Sequence, residues 1–340
     1  MPPACLTCQT VECLNIFQTG HSYVSRTLKA HLLLVLVTMI WGCTFPLIKA
    51  ALADSSPLLL NAVRMSLAAA LLAIYYRKSF RSLTRRGFLT GATVGLFLGL
   101  GYGFQTAGLR LTTPSKSAFL TGVSTVLVPL VIVVFWRARI HRWRVVGILL
   151  ALTGLFLMTV PAGRQALADF ANVNSGDLLT IACAFAFAFQ IILLGRSTQR
   201  FPFEQMAVLQ IGIGAILTAI SVPFVEHPHF RLTPTVAATV LITGILGTAV
   251  AFTVQAWAQQ FTPATHAALI FNLEPVFAWL TSYIFLHERL GARAGAGALL
   301  ILAGILISEL LGGVNRGVDK DGASPPDPEL AAEPQASTFG

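Results

Sequence analysis

Residues 113–136, TPSKSAFLTGVSTVLVPLVIVVFW, and residues 262–286, TPATHAALIFNLEPVFAWLTSYIFL, decide the fold. Each opens on Thr-Pro, stays apolar for the length of a membrane span and holds an interior proline, Pro129 in the first and Pro275 in the second. A spanning helix needs about 20 mostly apolar residues at 1.5 Å rise each. The hydrocarbon core offers no partner to a backbone N–H or C=O, so a segment of this kind must be a helix or a strand of a closed barrel. These runs are too long and too continuous for barrel strands.

Working outward, the same reading predicts ten spans: 31–52, 57–76, 88–109, 116–136, 143–161, 177–195, 206–225, 235–257, 263–286 and 293–311. The two quoted stretches are spans four and nine. Each is followed by a span with two glycines a heptad apart, Gly147 and Gly154 in the fifth, Gly297 and Gly304 in the tenth. The offset between matched positions drifts from 149 to 146 to 150. Span one also matches span six, which sets Lys49 opposite Arg196. The chain therefore reads as two halves, 31–161 and 177–311, of five helices each. Five is odd, so the second half must be inverted in the membrane. The predicted fold class is an all-α integral membrane protein, ten transmembrane helices in two inverted five-helix repeats. Inverted repeats are a transporter architecture, because two pseudo-symmetric halves can exchange inward-open and outward-open shapes.

Composition agrees. Of 340 residues, 55% are hydrophobic and 11% charged, against about 25% charged in a soluble domain. The formal charge of +9 lies in short clusters between apolar runs, such as Arg77-Lys78 and Arg85-Arg86, a distribution that reads as topology rather than nucleic-acid binding. With the N-terminus inside, the inner segments hold fifteen Lys or Arg and the outer loops six. This places both termini in the cytoplasm. Residues 1–30 lack the apolar region of a signal peptide. Cys5-x-x-Cys8 has no second pair or His cluster to complete a metal site, so 1–30 reads as an unstructured tail. The stretch 312–340, rich in Pro, Asp, Glu and Ala, reads as a disordered tail.

Two ionisable residues fall near the middle of spans: Glu274, beside Pro275, and Arg64 in span two. Such groups cost about 2.5–3.5 kcal/mol at the bilayer centre, so each should meet a partner or a wet cavity. The expectation is that they pair with each other or line the solute path. A carboxyl group away from water holds a proton more readily than one in water, which makes Glu274 the candidate carrier of a coupling proton. Pro129 and Pro275 lack an N–H and free the carbonyls of Thr125 and Phe271, so both are candidate helix breaks, with Pro46 a third. Matched breaks in two halves point to a midplane site. Tyr102, Gln105, Gln255, His266 and Asn272 are the polar candidates for solute contact; Ser124, Thr125, Gln190 and Gln210 join them as interhelical hydrogen bonders. Gly87, Gly91, Gly95, Gly99 and Gly103, four apart, predict a stripe for close helix packing. Lys116 is expected to snorkel, and His287, Glu288 and Arg289 to form a solvated cap. Trp136 and Trp143 read as interfacial anchors, and Trp41 and Trp257 as anchors or as cavity walls.

WGCTFPLIKAAL at 41–52, LLLNAVRMSLAAALLA at 58–73, TTPSKSAFLTG at 112–122 and above all TPATHAALIFNLEPVFAWLTSYIFLHERLG at 262–291 resemble the EamA-like branch of the drug/metabolite transporter superfamily. The resemblance covers both halves. It implies ten helices in two inverted repeats, a central cavity with helices 3, 4, 8 and 9 as contributors, and export of amino acids or related metabolites. It maps a family Glu before the mid-helix Pro onto Glu274 and a helix-two Arg onto Arg64. The chain departs from the family at WRARIHRW, 136–143, where an acidic Gly-Glu turn is usual.

The function expected is therefore a secondary transporter in the plasma membrane that exports a small polar or amphipathic metabolite, coupled to protons. A passive facilitator is the alternative within the same class. A membrane-embedded enzyme is disfavoured. His266 and Glu274, eight residues apart, lie about 80° apart around a helix, and no nucleophile or metal set joins them. No Gly-rich Lys-Ser/Thr loop supports ATP-driven pumping. The expected partners are a small-molecule solute and the lipid bilayer, without cofactor, metal or nucleic acid; the sequence does not determine whether the chain forms a homo-oligomer.

Overall fold

The structure, a computed structural model, describes residues 8–109, 111–112, 114–137, 140–160, 163, 168, 171–286 and 291–311. The tail from 312, the cap at His287, Glu288 and Arg289, and the side chains of Lys116, Lys49 and Trp279 lie outside what is described.

All regular structure among the described residues is helical, apart from one isolated antiparallel bridge between Ser55 and Phe230. We number the helices α1 (Cys8–Ala51), α2 (Pro57–Tyr75), α3 (Arg85–Leu109), α4 (Pro114–Gly122), α5 (Ser124–Trp136), α6 (Arg142–Thr159), α7 (Ser175–Ser197), α8 (Phe203–Val225), α9 (Pro234–Ile242), α10 (Ala251–Ala258), α11 (Ala264–Phe271), α12 (Glu274–Leu286) and α13 (Ala292–Leu310). A π-helical segment, Thr243–Val250, joins α9 to α10. Among the described residues, eight stretches are long and apolar enough to cross a membrane, and Ala292–Ser308 is a shorter apolar helix. Large apolar side chains point outward, among them Ile74, Ile220, Leu299 and Leu306, as expected where the surrounding solvent is lipid rather than water.

Two expectations are corrected. The predicted unstructured N-terminal tail is helical from Cys8 onward; no proline interrupts 8–41, and Gly20 is the one glycine there. The predicted break at Pro129 is displaced. Pro129 lies inside α5, and the interruption comes earlier, at Val123. Gly122 precedes it, where a Cβ would run into Leu155 of α6. In the other half the helix breaks at Asn272–Leu273, immediately before Glu274-Pro275. Helix α1 continues through Pro46.

Glycines set the closest helix contacts. A Cβ at Gly147 would lie 2.5 Å from the Gly304 carbonyl oxygen, and one at Gly297 would lie 2.5 Å from that of Gly154. The contact is reciprocal: Gly147 of α6 meets Gly304 of α13, and Gly154 meets Gly297. The stripe on α3 packs on α8, with Gly91 against Leu209, Gly95 against Ile213 and Gly99 against Leu217. Gly103 meets nothing within 4 Å.

The loops on each side of the bundle also pair. Ser56 N–H donates to the His229 carbonyl at 2.9 Å, and Arg231 N–H to that of Asp54 at 2.8 Å. The Glu226 carboxylate accepts from Leu58 N–H at 3.2 Å and Leu59 N–H at 2.8 Å. It thus supplies negative charge to the α2 N-terminus, whose own first turn has no acid. On the other side Gln205 Nε2 donates to the Ser79 carbonyl at 2.7 Å and Ser82 Oγ at 3.1 Å. Glu226→Ala leaves two buried N–H groups without their acceptor. It is expected to destabilise the fold by about 1–3 kcal/mol, read as a lower melting temperature in detergent, with Glu226→Gln intermediate.

Candidate functional site

Span nine stops being helical at Asn272 and restarts at Glu274. A helix start leaves N–H groups unsatisfied and facing inward, and Glu274 occupies the first position of α12. The residue is partly exposed. Among the described residues no hydrogen bond or ion pair engages its carboxylate. Gly42 of α1 brings that helix onto the Glu274 backbone: a Cβ there would lie 2.9 Å from the Glu274 carbonyl oxygen and 2.7 Å from Phe277 Cβ.

Arg64 is buried on α2 at 7% exposure. Its Nε donates to Asn61 Oδ1 at 2.9 Å, one turn earlier on the same helix. Asn61 Nδ2 donates in turn to Thr106 Oγ1 on α3 at 3.0 Å. The guanidinium carbon lies 5.1 Å from the centroid of the Tyr102 ring. Tyr102 in turn meets Phe252, which meets Trp41 beside Gly42, so a chain of ring contacts runs from Arg64 to the helix start at Glu274. The direct Arg64–Glu274 ion pair is not formed, because Asn61 and the Tyr102 face take the guanidinium.

Aromatic rings line the same region. Trp41 of α1 sits 5.5 Å from Phe252 and 5.3 Å from Phe271, ring centre to ring centre. Tyr102 makes edge contacts with Phe187 at 5.6 Å and Phe252 at 6.4 Å. Trp41 therefore packs against rings of two other helices. Trp136 and Trp257 instead carry cations: Arg196 of α7 lies 3.6 Å above Trp136, and Lys29 of α1 lies 5.6 Å above Trp257.

The polar candidates divide. Gln105 lies on α3 one turn past Tyr102, partly exposed. Gln255 on α10 is buried, and its Oε1 has no partner among the described residues. Asn272 is buried at the break. Its Oδ1 accepts from Thr125 Oγ1 at 2.8 Å, across the two halves, while its Nδ2 has no partner among the described residues. Gln190 donates to Gln210 at 2.9 Å between α7 and α8, as an interhelical bond. His266 is set apart: its ring centre is 6.0 Å from that of His31 on α1, and the eight residues to Glu274 span roughly 12 Å of helix.

Sequence reasoning missed Asn61, Thr106, Phe187, Phe252 and Phe271. Asn61 was findable, since residues three apart face the same way on a helix. The phenylalanines were not, because the chain has 23.

This arrangement places a cation and a carboxylate near one another without pairing them, among aromatic faces at a helix break. The sequence profile of the EamA-like transporter family matches residues 28–160 and again 174–310. An uncharacterized transporter of Archaeoglobus fulgidus is 33% identical over 87% of this chain and 90% of its own length. A probable amino-acid metabolite efflux pump of Salmonella typhimurium is 25% identical over 81% of this chain and 93% of its own. A solved crystal structure shares the fold with a TM-score of 0.68 at 18% identity, over 84% of this chain and 97% of that one. A multi-pass helical membrane protein that matches one profile in both halves, the chain belongs to the EamA-like transporter family.

Proposed function

We propose that the chain is a secondary transporter that exports small metabolites, amino acids or related amphipathic compounds, by alternating access with proton coupling. The observation that carries the reading is a carboxylate and a cation with no ion pair among the described residues: Glu274 without a protein partner there, and Arg64 held by the neutral groups of Asn61 and Tyr102. A zwitterionic solute complements both charges, and its apolar part complements Phe252 and Phe271. Gln105, Gln255 and Asn272 offer amide groups to the same solute; His266 belongs to a different level of the path. The efflux pump relative is named for amino-acid metabolites, which favours this solute class and the outward direction.

Ten spans follow when α4–α5, α9–α10 and α11–α12 each count as one interrupted span and α13 as the last. Inversion of the second half is supported by the reciprocal glycine contact of α6 with α13 and by the Thr125–Asn272 bond between matched spans. Such contacts are what a two-fold axis in the membrane plane produces. The cytoplasmic placement of both termini and the plasma membrane rest on the charge distribution.

Counterflow in proteoliposomes loaded with amino acids, nucleosides and organic cations tests the reading. The expected result is saturable exchange of a zwitterionic solute that strengthens under a pH gradient. Exchange indifferent to the gradient would make the protein a facilitator. Exchange confined to nucleosides or cations would overturn the solute class.

A further inference from the structure

Among the described residues, Thr243–Val250 is the one stretch that leaves the α-helical register for the π register in the middle of a span. A π segment amounts to an extra residue accommodated in an α-helix, and such segments recur at functional sites. Within it, Thr248 Oγ1 donates to the Thr243 carbonyl five residues back at 2.9 Å. From outside, the Trp41 indole N–H donates to the Gly247 carbonyl at 2.8 Å. Just beyond, α10 presents Phe252 to Trp41 and Tyr102, and buries Gln255 with Oε1 unpartnered among the described residues.

The other half of the chain supplies an internal comparison. Gly101 and Gly247 are 146 residues apart, Trp41 and Phe187 are 146 apart, and so are Pro129 and Pro275. Phe187 packs on Gly101, where a Cβ would lie 2.6 Å from its ring; a Cβ at Gly247 would meet Thr243 and Thr44 instead, and Trp41 reaches the Gly247 carbonyl. Phenylalanine has no N–H to donate, and α3 stays α-helical from Arg85 to Leu109. The matched aromatic residue meets the matched glycine in both halves, by ring packing at Gly101 and by a hydrogen bond at Gly247. The π register occurs only where the aromatic side chain also donates a hydrogen bond.

The geometry points to Trp41 as a positioning residue, whose bond to the Gly247 carbonyl holds span eight in its π register and so turns Phe252 and Gln255 toward the solute. Reverting the segment to a purely α course rotates everything beyond it by about 100°. The effect on solute rests on the transporter reading; the effect on register does not.

The test is Trp41→Phe in the full chain, read by amide hydrogen exchange and by counterflow. Exchange at 243–252 is expected to quicken about five- to tenfold, the loss of one hydrogen bond, while α6 and α13 keep their protection. Half-saturation for the solute is expected to rise several-fold with maximal exchange little changed. Deleting Ile245, an outward-facing residue of the segment, should reproduce the change in half-saturation, and the two changes together should not add. Unchanged protection at 243–252, or a uniform loss across the protein, overturns the inference. Should the wild-type chain exchange no solute of the panel, the transport reading fails separately, and the hydrogen-exchange comparison still decides the role of Trp41.

Discussion

Glu274→Gln is expected to abolish the response of counterflow to a pH gradient, lowering gradient-driven exchange by roughly tenfold, about 1.4 kcal/mol of coupling free energy. The carboxamide keeps the shape of a protonated carboxyl and cannot release a proton. Glu274 starts α12 at the helix break and is partly exposed, with no described protein group to hold its charge. A solute amine and a proton can therefore compete for it. Exchange at equal pH on both sides should persist, since the carboxamide still mimics one of the two states. The measurement is solute exchange with and without an imposed gradient, wild type against variant. A gradient response that survives the substitution removes Glu274 from coupling and leaves it a wall residue.

Gly154→Leu should be the most destabilising of these single changes. A side chain at Gly154 would be driven into the Gly297 carbonyl oxygen, and its Cβ would lie 2.9 Å from the backbone N of Ile301. The obstacle is backbone on the facing helix, so no rotamer change relieves it. Overpacking costs about 1–3 kcal/mol, and the branched leucine should reach the upper end by separating α6 from α13. Fluorescence-detected gel filtration after a heat ramp reads this as a lower melting temperature. Gly297→Leu should match it, and the double variant should lose less than the sum, because both changes open one interface. Leu149→Ala, on the outward face of α6, should melt with the wild type. Equal melting of Gly154→Leu and wild type would show that the two helices do not meet at these glycines in the membrane.

Much of this was legible in the chain itself. Long uncharged runs leave the backbone no option in lipid except helix, so the helical, multi-pass character follows from composition and run length. Glycines four apart along α3 announce close approach, because removing a side chain from a lipid-facing helix gains nothing unless another backbone comes near. Arg64 and Glu274 stand out for the same reason of cost: a charge at that depth must be satisfied by something.

What could not be read is whatever depends on how one helix is rotated against another. Arg64 meets Asn61 and Tyr102 rather than Glu274, because the rotation of α2 and α3 sets which groups a long side chain reaches first. The break in span four falls at Val123 instead of Pro129, where Leu155 of a neighbouring helix fills the space beside Gly122. TGILGTAV, 243–250, has nothing in its own residues that distinguishes a π turn from an α turn. Its register depends on a carbonyl meeting an indole N–H that lies 206 positions away in the chain. Sequence by itself determined that the chain crosses the membrane as helices and where charge is buried, because desolvation acts on each residue alone. Tertiary structure decided which buried groups meet, because a hydrogen bond or a ring contact needs two partners within a few ångströms and chain order does not measure that distance.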